Sequence, residues 1–252
     1  MTVAPYSQTE GEVAESALLG GRVRLLQPVK GYRAGMDAAL LAATVTVEPG
    51  QRVIEAGCGA GAVLMQIAAR HPGASLTGLE RDPAMAALAR ENAVLNGVDA
   101  SILEGDVAAG FRALDLPPFD WAVSNPPFFD DPGALRAPAE GKRGAWMADD
   151  GLKAWTTFLL KSVREGGRIV VIHRADRLAD LLALLGETAG SFAVRGVHPH
   201  ADEPAKRVLV QAIKTGKAPL RLLPPLVLHD RSGAKHTAEA EAILRGEAEL
   251  GW

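Results

Sequence analysis

The chain of 252 residues has a single cysteine, Cys58, and this scarcity excludes two kinds of structural support. One cysteine cannot form an internal disulfide, and it cannot supply the ligands of a cysteine-based zinc cluster. A chain of this length buries roughly 70–75% of the surface that its unfolded form exposes, so its core needs no such support. We therefore predict a protein without a metal site that works in a reducing compartment, the cytoplasm.

The sequence also lacks any run of about 20 apolar residues, the length that a membrane-spanning helix needs. Its first fifteen residues are polar and do not follow the basic-then-apolar pattern of a signal peptide. The formal net charge of −3 excludes a protein that binds nucleic acid over its whole surface. We predict no membrane association, while a local basic surface is still allowed.

Positive charge is concentrated in a few segments that contain little negative charge. Residues 16–36 and 204–227 hold several basic side chains and no acid, and a looser group lies within 136–143. If these segments converge in the fold, they form a surface that attracts the phosphates of a nucleic acid. The candidate residues for this surface are Arg22, Arg24, Lys30, Arg136, Lys142, Arg143, Lys206 and Arg207.

Strand and helix patterns alternate from residue 52 onward. Predicted strands lie at 52–56, 75–80, 101–104, 119–124, 168–173, 192–197 and 208–213, with helices between most of them. This alternation predicts an α/β fold with a doubly wound, mostly parallel, seven-stranded sheet. No helix separates the last two strands, so we expect an antiparallel hairpin at the C-terminal end of the sheet.

A glycine turn follows the first of these strands and is preceded by an acid, Glu55. Gly57, Gly59 and Gly61 give the spacing G-x-G-x-G, whereas a dinucleotide-binding turn has G-x-G-x-x-G. Glycine permits positive φ and lets backbone N–H groups approach a ligand closely. A carboxylate in this place opposes a pyrophosphate and suits a ligand that carries a cation, which disfavours a nicotinamide oxidoreductase.

Acids also follow the second and third strands. Glu80 lies about 20 residues beyond the glycine turn, the spacing at which an acid accepts the hydroxyl groups of a ribose. Asp106 follows the third strand, on the rim of the same crevice, where it can accept from an adenine amino group. Together these residues predict a nucleoside-binding site at the carboxyl ends of the strands.

Residues 53–214, with this turn, these acids and the closing hairpin, resemble the class I S-adenosylmethionine-dependent methyltransferases. The resemblance implies S-adenosyl-L-methionine as cofactor, S-adenosyl-L-homocysteine as product, and no metal. Cys58, inside the turn, is expected to be a small filler rather than a nucleophile. The resemblance implies these cofactor-binding residues: Tyr32, Arg33, Asp37, Glu55, Gly57, Cys58, Gly59, Gly61, Glu80, Arg81, Asp106, Val107 and Asn125.

The fourth strand ends in Asn125, Pro126, Pro127 and Phe128. Two prolines fix the backbone and remove two donors, which leaves carbonyl oxygens and the Asn125 amide as acceptors beside an aromatic ring. Such a site suits a planar amine. The motif resembles that of methyltransferases acting on exocyclic or amide nitrogens, and it implies that these four residues are catalytic.

The segment before the core resembles that of the methyltransferase small domain group, whose members include enzymes that methylate adenine N-6 in the anticodon loop of valine tRNA. We therefore predict N-methylation of adenine in structured RNA, most simply tRNA, by a monomer or weak homodimer. The predicted parts are a flexible tail (1–15), an N-terminal lid or extension (16–48), a catalytic domain (49–216) and a C-terminal extension (217–252). Alternatives are glutamine methylation of release factors, guanine N-2 methylation of ribosomal RNA, and a non-catalytic RNA-binding module.

Overall fold

The structure, a computed structural model, describes residues 12–30, 34–127, 148–231 and 233–252. The strands are β1 (Val13–Leu18), β2 (Val23–Pro28), β3 (Arg52–Ala56), β4 (Ser75–Glu80), β5 (Ala100–Glu104), β6 (Phe119–Ser124), β7 (Val163–Arg174), β8 (Ala189–His198), β9 (Arg207–Lys214), β10 (Arg221–Leu222) and β11 (Leu226–Val227). The helices are α1 (Met36–Ala43), α2 (Ala62–Arg70), α3 (Pro83–Leu95), α4 (Ala148–Ser162), α5 (Leu178–Leu185) and α6 (Ala238–Arg245).

The main sheet confirms the predicted doubly wound, mostly parallel architecture. Its strand order is β10-β8-β9-β7-β6-β3-β4-β5, and β11 pairs with β8 beside β10. Strand β9 is antiparallel to both of its neighbours, β7 and β8. The predicted hairpin therefore consists of β8 and β9, and it pairs with the parallel part of the sheet through β9. The seven predicted strands form the sheet proper, and β10 and β11 add two residues each, which gives nine strands within the described residues.

Helices cover both faces of the sheet and divide its core into two clusters. Val53, Trp121 and Val170 pack with α1, α2 and α3 on one face. On the other face, Ile54 and Val171 pack with α4 and α5. Neighbouring strand residues point to opposite faces, and the central parts of β3, β6 and β7 (53–54, 121–123 and 169–172) are apolar and buried on both, as expected of strands covered on both sides.

An N-terminal hairpin made of β1 and β2 packs beside α3. Strand β1 begins at Val13, so residues 13–15 belong to this hairpin and not to the flexible tail that the sequence predicted. Residues 1–11 lie outside the described part of the chain. The alternation in β1 is weak because the strand contains Glu15 and Ser16, and this is why the sequence did not reveal it.

The C-terminal extension packs onto the face of the sheet that carries α1 and α2. Helix α6 begins after Thr237, whose Oγ1 accepts from the Ala240 N–H at 3.2 Å. Beyond the helix, the Arg70 guanidinium donates to the Ala248 carbonyl at 2.8 Å. The Trp252 indole N–H donates to the Thr44 carbonyl, also at 2.8 Å. Within the described ranges, no helix combines the length and apolar character needed to cross a membrane.

Candidate active site

The predicted site residues meet at the carboxyl edge of the parallel strands. Ala56, the last residue of β3, is in register with Leu79 of β4 and with Ser124 of β6. Glu80 is in register with Glu104, the last residue of β5. The turns that leave these four strands therefore border one crevice, as the strand pattern predicted.

The glycine turn connects β3 to α2 in a conformation that L residues rarely adopt. Gly57 has a φ of +70°, and a Cβ added there would lie 2.3 Å from Cη2 of Trp155 on α4. Gly61 has a φ of +82° and precedes the first residue of α2. Cys58 is buried, and a Cβ added at Gly78 would lie only 2.7 Å from the Cys58 sulfur. This close packing is what the filler prediction for Cys58 implies.

Glu80 is almost completely buried, at 2% exposure, directly beside the glycine turn. Its Oε2 accepts from the Gly59 N–H at 2.8 Å, and its Oε1 accepts from the Asp82 N–H at 2.9 Å. A carboxylate has about four lone-pair sites, so a backbone N–H on each oxygen is compatible with further acceptor bonds. An acceptor of this kind fits the two hydroxyl donors of a ribose.

The turn after β5 supplies the next part of the rim. The Asp106 carboxylate accepts from the Ala108 N–H at 2.9 Å, which starts a short 3-10 turn, and Arg81 approaches its other oxygen at 3.5 Å. Both charged side chains are partly exposed. Val107 is buried against the cluster that includes α4. Arg81, Asp106 and Val107, predicted separately from two strand ends, are therefore neighbours.

The end of β6 is fixed to the end of β3. The Ser124 hydroxyl donates to the Ala56 carbonyl at 2.9 Å, so Asn125 follows directly beside the glycine turn. Pro126 is buried, whereas Asn125 and Pro127 are partly exposed. Glu55 is 3% exposed on β3. Phe128, the fourth predicted catalytic residue, lies outside the described residues.

Asp37 stands in the first turn of α1 and forms an ion pair that the sequence did not suggest. Its Oδ2 lies 2.9 Å from Nε of Arg207, the first residue of β9. A predicted cofactor residue and a predicted nucleic-acid residue are thus partners at the same edge of the sheet. Tyr32 and Arg33 lie outside the described residues.

Residues 33–137 match the sequence model of the methyltransferase small domain family. Over this stretch the chain is similar to the members of that family. A predicted O-methyltransferase from Agrobacterium tumefaciens has a similar structure, with a TM-score of 0.69 and 28% identity over 86% of this chain and 99% of the other.

Two curated relatives of this chain carry different names. A release factor glutamine methyltransferase from Deinococcus radiodurans is 40% identical over 55% of this chain and 51% of its own length. A tRNA1(Val) (adenine(37)-N6)-methyltransferase from Dickeya chrysanthemi is 26% identical over 84% of this chain and 86% of its own. Several other curated relatives are matched over only about half of their own length.

The methyltransferase fold also places a buried histidine that sequence reasoning missed. His173 lies near the carboxyl end of β7 and is 3% exposed. Burial, and then the charges of Arg177, Arg174 and Arg207, lower the pKa of His173 to about 4, although Asp176 acts in the opposite direction. Its imidazole is therefore neutral near pH 7. The only sequence signal was a polar residue at the end of an apolar strand.

The basic residues singled out in the sequence are divided between the two edges of the methyltransferase sheet. Helix α3 leads from the carboxyl end of β4 to the amino end of β5, so its C-terminal end lies at the edge opposite the crevice. The backbone of Arg24 is bonded there to the Asn96 side chain, and its guanidinium pairs with Glu15 at 2.8 Å. The guanidinium of Arg22 donates to the Gly246 carbonyl at 2.7 Å.

The other basic residues lie nearer to the crevice or outside the described chain. Lys206 is exposed and immediately precedes β9, whose first residue is in register with Arg174 at the carboxyl end of β7. Lys30 is exposed beyond the end of β2 that runs toward the crevice. Arg136, Lys142 and Arg143 lie outside the described residues. The predicted convergence therefore does not include Arg22 and Arg24.

Proposed function

We propose that this protein transfers a methyl group from S-adenosylmethionine to the exocyclic N-6 of an adenine in tRNA, with the anticodon loop of valine tRNA as substrate. The observation that carries the proposal is the register that sets Asn125 and Pro126 beside the glycine turn. It is supported by the Dickeya relative, because that match extends over most of both chains. A tRNA substrate agrees with the cytoplasmic location predicted from the sequence.

The described residues fit the cofactor of this family. In the proposal, the buried Glu80 accepts the ribose hydroxyls, Asp106 and the backbone of Val107 contact the adenine, and Glu55 holds the amino group of the methionine part. When bound, the cofactor supplies an electrophilic methyl group on a positively charged sulfur. Because a sulfonium is already an electrophile, the proposed reaction needs no metal.

Asn125 and Pro126 act on the acceptor. The exocyclic nitrogen of adenine is conjugated with the ring and is a poor nucleophile. Asn125 Oδ1 and the Pro126 carbonyl accept its two N–H groups and turn its lone pair toward the methyl group, so the rate gain comes mainly from positioning. The proton leaves to solvent after transfer. Phe128 is proposed, from the sequence, to stack on the base.

Glutamine methylation of a release factor is the second candidate, because the Deinococcus relative is 40% identical to this chain. A side-chain amide presents the same planar NH2 group to the same acceptors. That match, however, covers 51% of the relative, whereas the match to the Dickeya enzyme covers 86%. The release-factor group also usually has tyrosine where this chain has Phe128. The adenine proposal is therefore preferred.

Methyl transfer from labelled cofactor to three acceptors decides between these functions. Bulk tRNA, ribosomal RNA and release factor, each from a strain that lacks this enzyme, are assayed in parallel. We expect label in tRNA, and N-6-methyladenosine after nuclease digestion. The Asn125→Ala variant is expected to bind cofactor normally and to lose transfer, since Asn125 orients the amine. Label only in release factor, or near-normal single-turnover rates in the variant, would contradict the proposal.

A further inference from the structure

Asn92 on α3 is a fully buried polar residue to which neither the sequence nor the proposed mechanism gave a role. Its exposure is 0%. Its Oδ1 accepts from the Leu26 N–H at 2.7 Å, and its Nδ2 donates to the carbonyls of Leu26 and Ala60 at 2.8 and 2.9 Å. Both N–H groups and the oxygen of one amide are thus engaged, at two separate segments of backbone.

These two segments are parts of the candidate site that are far apart in the sequence. Ala60 lies inside the glycine turn, between Gly59 and Gly61. Leu26 belongs to β2 of the N-terminal hairpin. The next residue, Gln27, is 3% exposed, and its Oε1 accepts from the Ala34 N–H at 3.0 Å. Hydrogen bonds therefore lead from the segment before α1, through β2 and Asn92, to the glycine turn.

We propose that Asn92 is a positioning residue of the cofactor site, which fixes the N-terminal hairpin and the glycine turn to each other. This inference rests on the proposed use of the glycine turn for S-adenosylmethionine. Asn92 acts through the backbone and touches no reacting atom. The turn is proposed to approach the ligand through its backbone, so a shift at Ala60 misplaces the backbone groups that face the ligand. Binding must then restore their positions, and the free energy that this costs lowers the affinity.

The same helix provides a matched control. Asn96 lies one turn beyond Asn92, and its Oδ1 accepts from the Arg24 N–H at 2.9 Å. Its Nδ2 donates to the carbonyls of Arg24 and Asn92, each at 2.7 Å. Asn96 thus holds the same strand with the same chemistry, but these hydrogen bonds reach only Arg24 and Asn92 and not the glycine turn. Removing it tests the attachment of the hairpin alone.

The experiment measures S-adenosylhomocysteine affinity by calorimetry, and thermal midpoints, for wild type, Asn92→Ala, Asn92→Asp and Asn96→Ala. We expect lower thermal midpoints for the alanine variants. Only the Asn92 variants should raise the Kd, by about tenfold, the equivalent of one lost hydrogen bond. Asn92→Asp keeps the acceptor for the Leu26 N–H but loses the donations to the Leu26 and Ala60 carbonyls, so it should show the same defect. A Kd for the Asn92 variants equal to that of Asn96→Ala would overturn the inference.

A measurement on the unaltered protein covers the case in which the Asn92 variants do not fold. If the hairpin and the turn are coupled through Asn92, ligand binding must stabilise both. Amide hydrogen exchange of Leu26 should then slow when S-adenosylhomocysteine is added, more than exchange of Arg24, which is bonded to Asn96. Equal slowing at both amides would overturn the inference. Wild-type protein that binds no ligand would instead refute the proposed function.

Discussion

Replacing Gly57 with alanine should destabilise the protein and weaken cofactor binding, because two constraints act at this position. Its φ of +70° costs an L residue about 1–2 kcal/mol. The added Cβ would lie 2.3 Å from Cη2 of Trp155, and forcing extra atoms into a packed core costs about 1–3 kcal/mol. The free energy of unfolding should therefore fall by about 2–5 kcal/mol.

Gly97→Ala separates the two contributions. Gly97 follows α3 with a φ of +63°, and a Cβ added there meets nothing within 4 Å. This variant should lose only the conformational part, about 1–2 kcal/mol. Urea unfolding followed by circular dichroism measures both variants, and calorimetry with S-adenosylhomocysteine measures their affinities. Only the change at Gly57 should weaken binding, because only this glycine belongs to the turn that is proposed to bind the cofactor.

A double variant tests whether Trp155 is the source of the difference. The smaller ring in Trp155→Phe leaves room beneath the turn, so combining it with Gly57→Ala should cost less than the sum of the two single changes. The reasoning is refuted if Gly57→Ala is no more destabilising than Gly97→Ala. It is also refuted if the two changes are simply additive, since contacting residues must show coupling.

Two further predictions concern charge. Replacing Lys30 and Lys206 with alanine should reduce the slope of log affinity for tRNA against log salt concentration by about 0.7 per lost single-strand phosphate contact. Arg22→Ala with Arg24→Ala should leave this slope unchanged. Filter binding at several salt concentrations measures both slopes, and equal changes in the two pairs would contradict the prediction. The pKa of His173 is about 4 in the folded protein and near 6.5 when unfolded, so the unfolded state binds more protons below pH 6.5. Between pH 6.5 and 4 the wild type should lose about 3 kcal/mol more stability than His173→Gln, and equal losses in urea titrations would contradict the shift.

Elements with local boundary signals could be predicted closely from the sequence. The glycine turn before residue 62 and Pro72 after it predict a helix over residues 62–70, and α2 occupies those residues. Helix α3 begins after Asp82, whose carboxylate accepts from the Ala84 N–H at 2.9 Å. At these boundaries the residues that end or begin the helix are local in the sequence, so they can be recognised without knowledge of the fold.

Elements whose limits depend on distant partners could not be predicted in the same way. Val163 continues the helical spacing of α4, and the sequence pattern assigns it to the inward face of that helix. In the structure it is the first residue of β7 and pairs with Phe119 of β6. The contact that decides its conformation therefore lies in another strand, and periodicity within one segment carries no information about it.

The candidate site shows the same division. Strand ends revealed Glu80, Asp106 and Asn125, because parallel topology brings such ends together. The sequence did not indicate which residues these groups contact. Asp37 and Arg207 are far apart in the chain but form an ion pair. A basic segment without acids of its own can therefore be partly neutralised by an acid from another element. The predicted basic surface is also incomplete, because Arg22 and Arg24 lie at the edge of the sheet opposite the crevice.

Three different elements hold the glycine turn in place. Trp155 of α4 packs against Gly57, Glu80 of β4 accepts from the Gly59 N–H, and Asn92 of α3 donates to the Ala60 carbonyl. A turn fixed in this way loses little conformational freedom on binding, so more of the contact energy is retained as affinity. Cofactor affinity should therefore depend on Trp155 and Asn92, which act on the turn, as well as on Glu80, which is proposed to contact the cofactor itself.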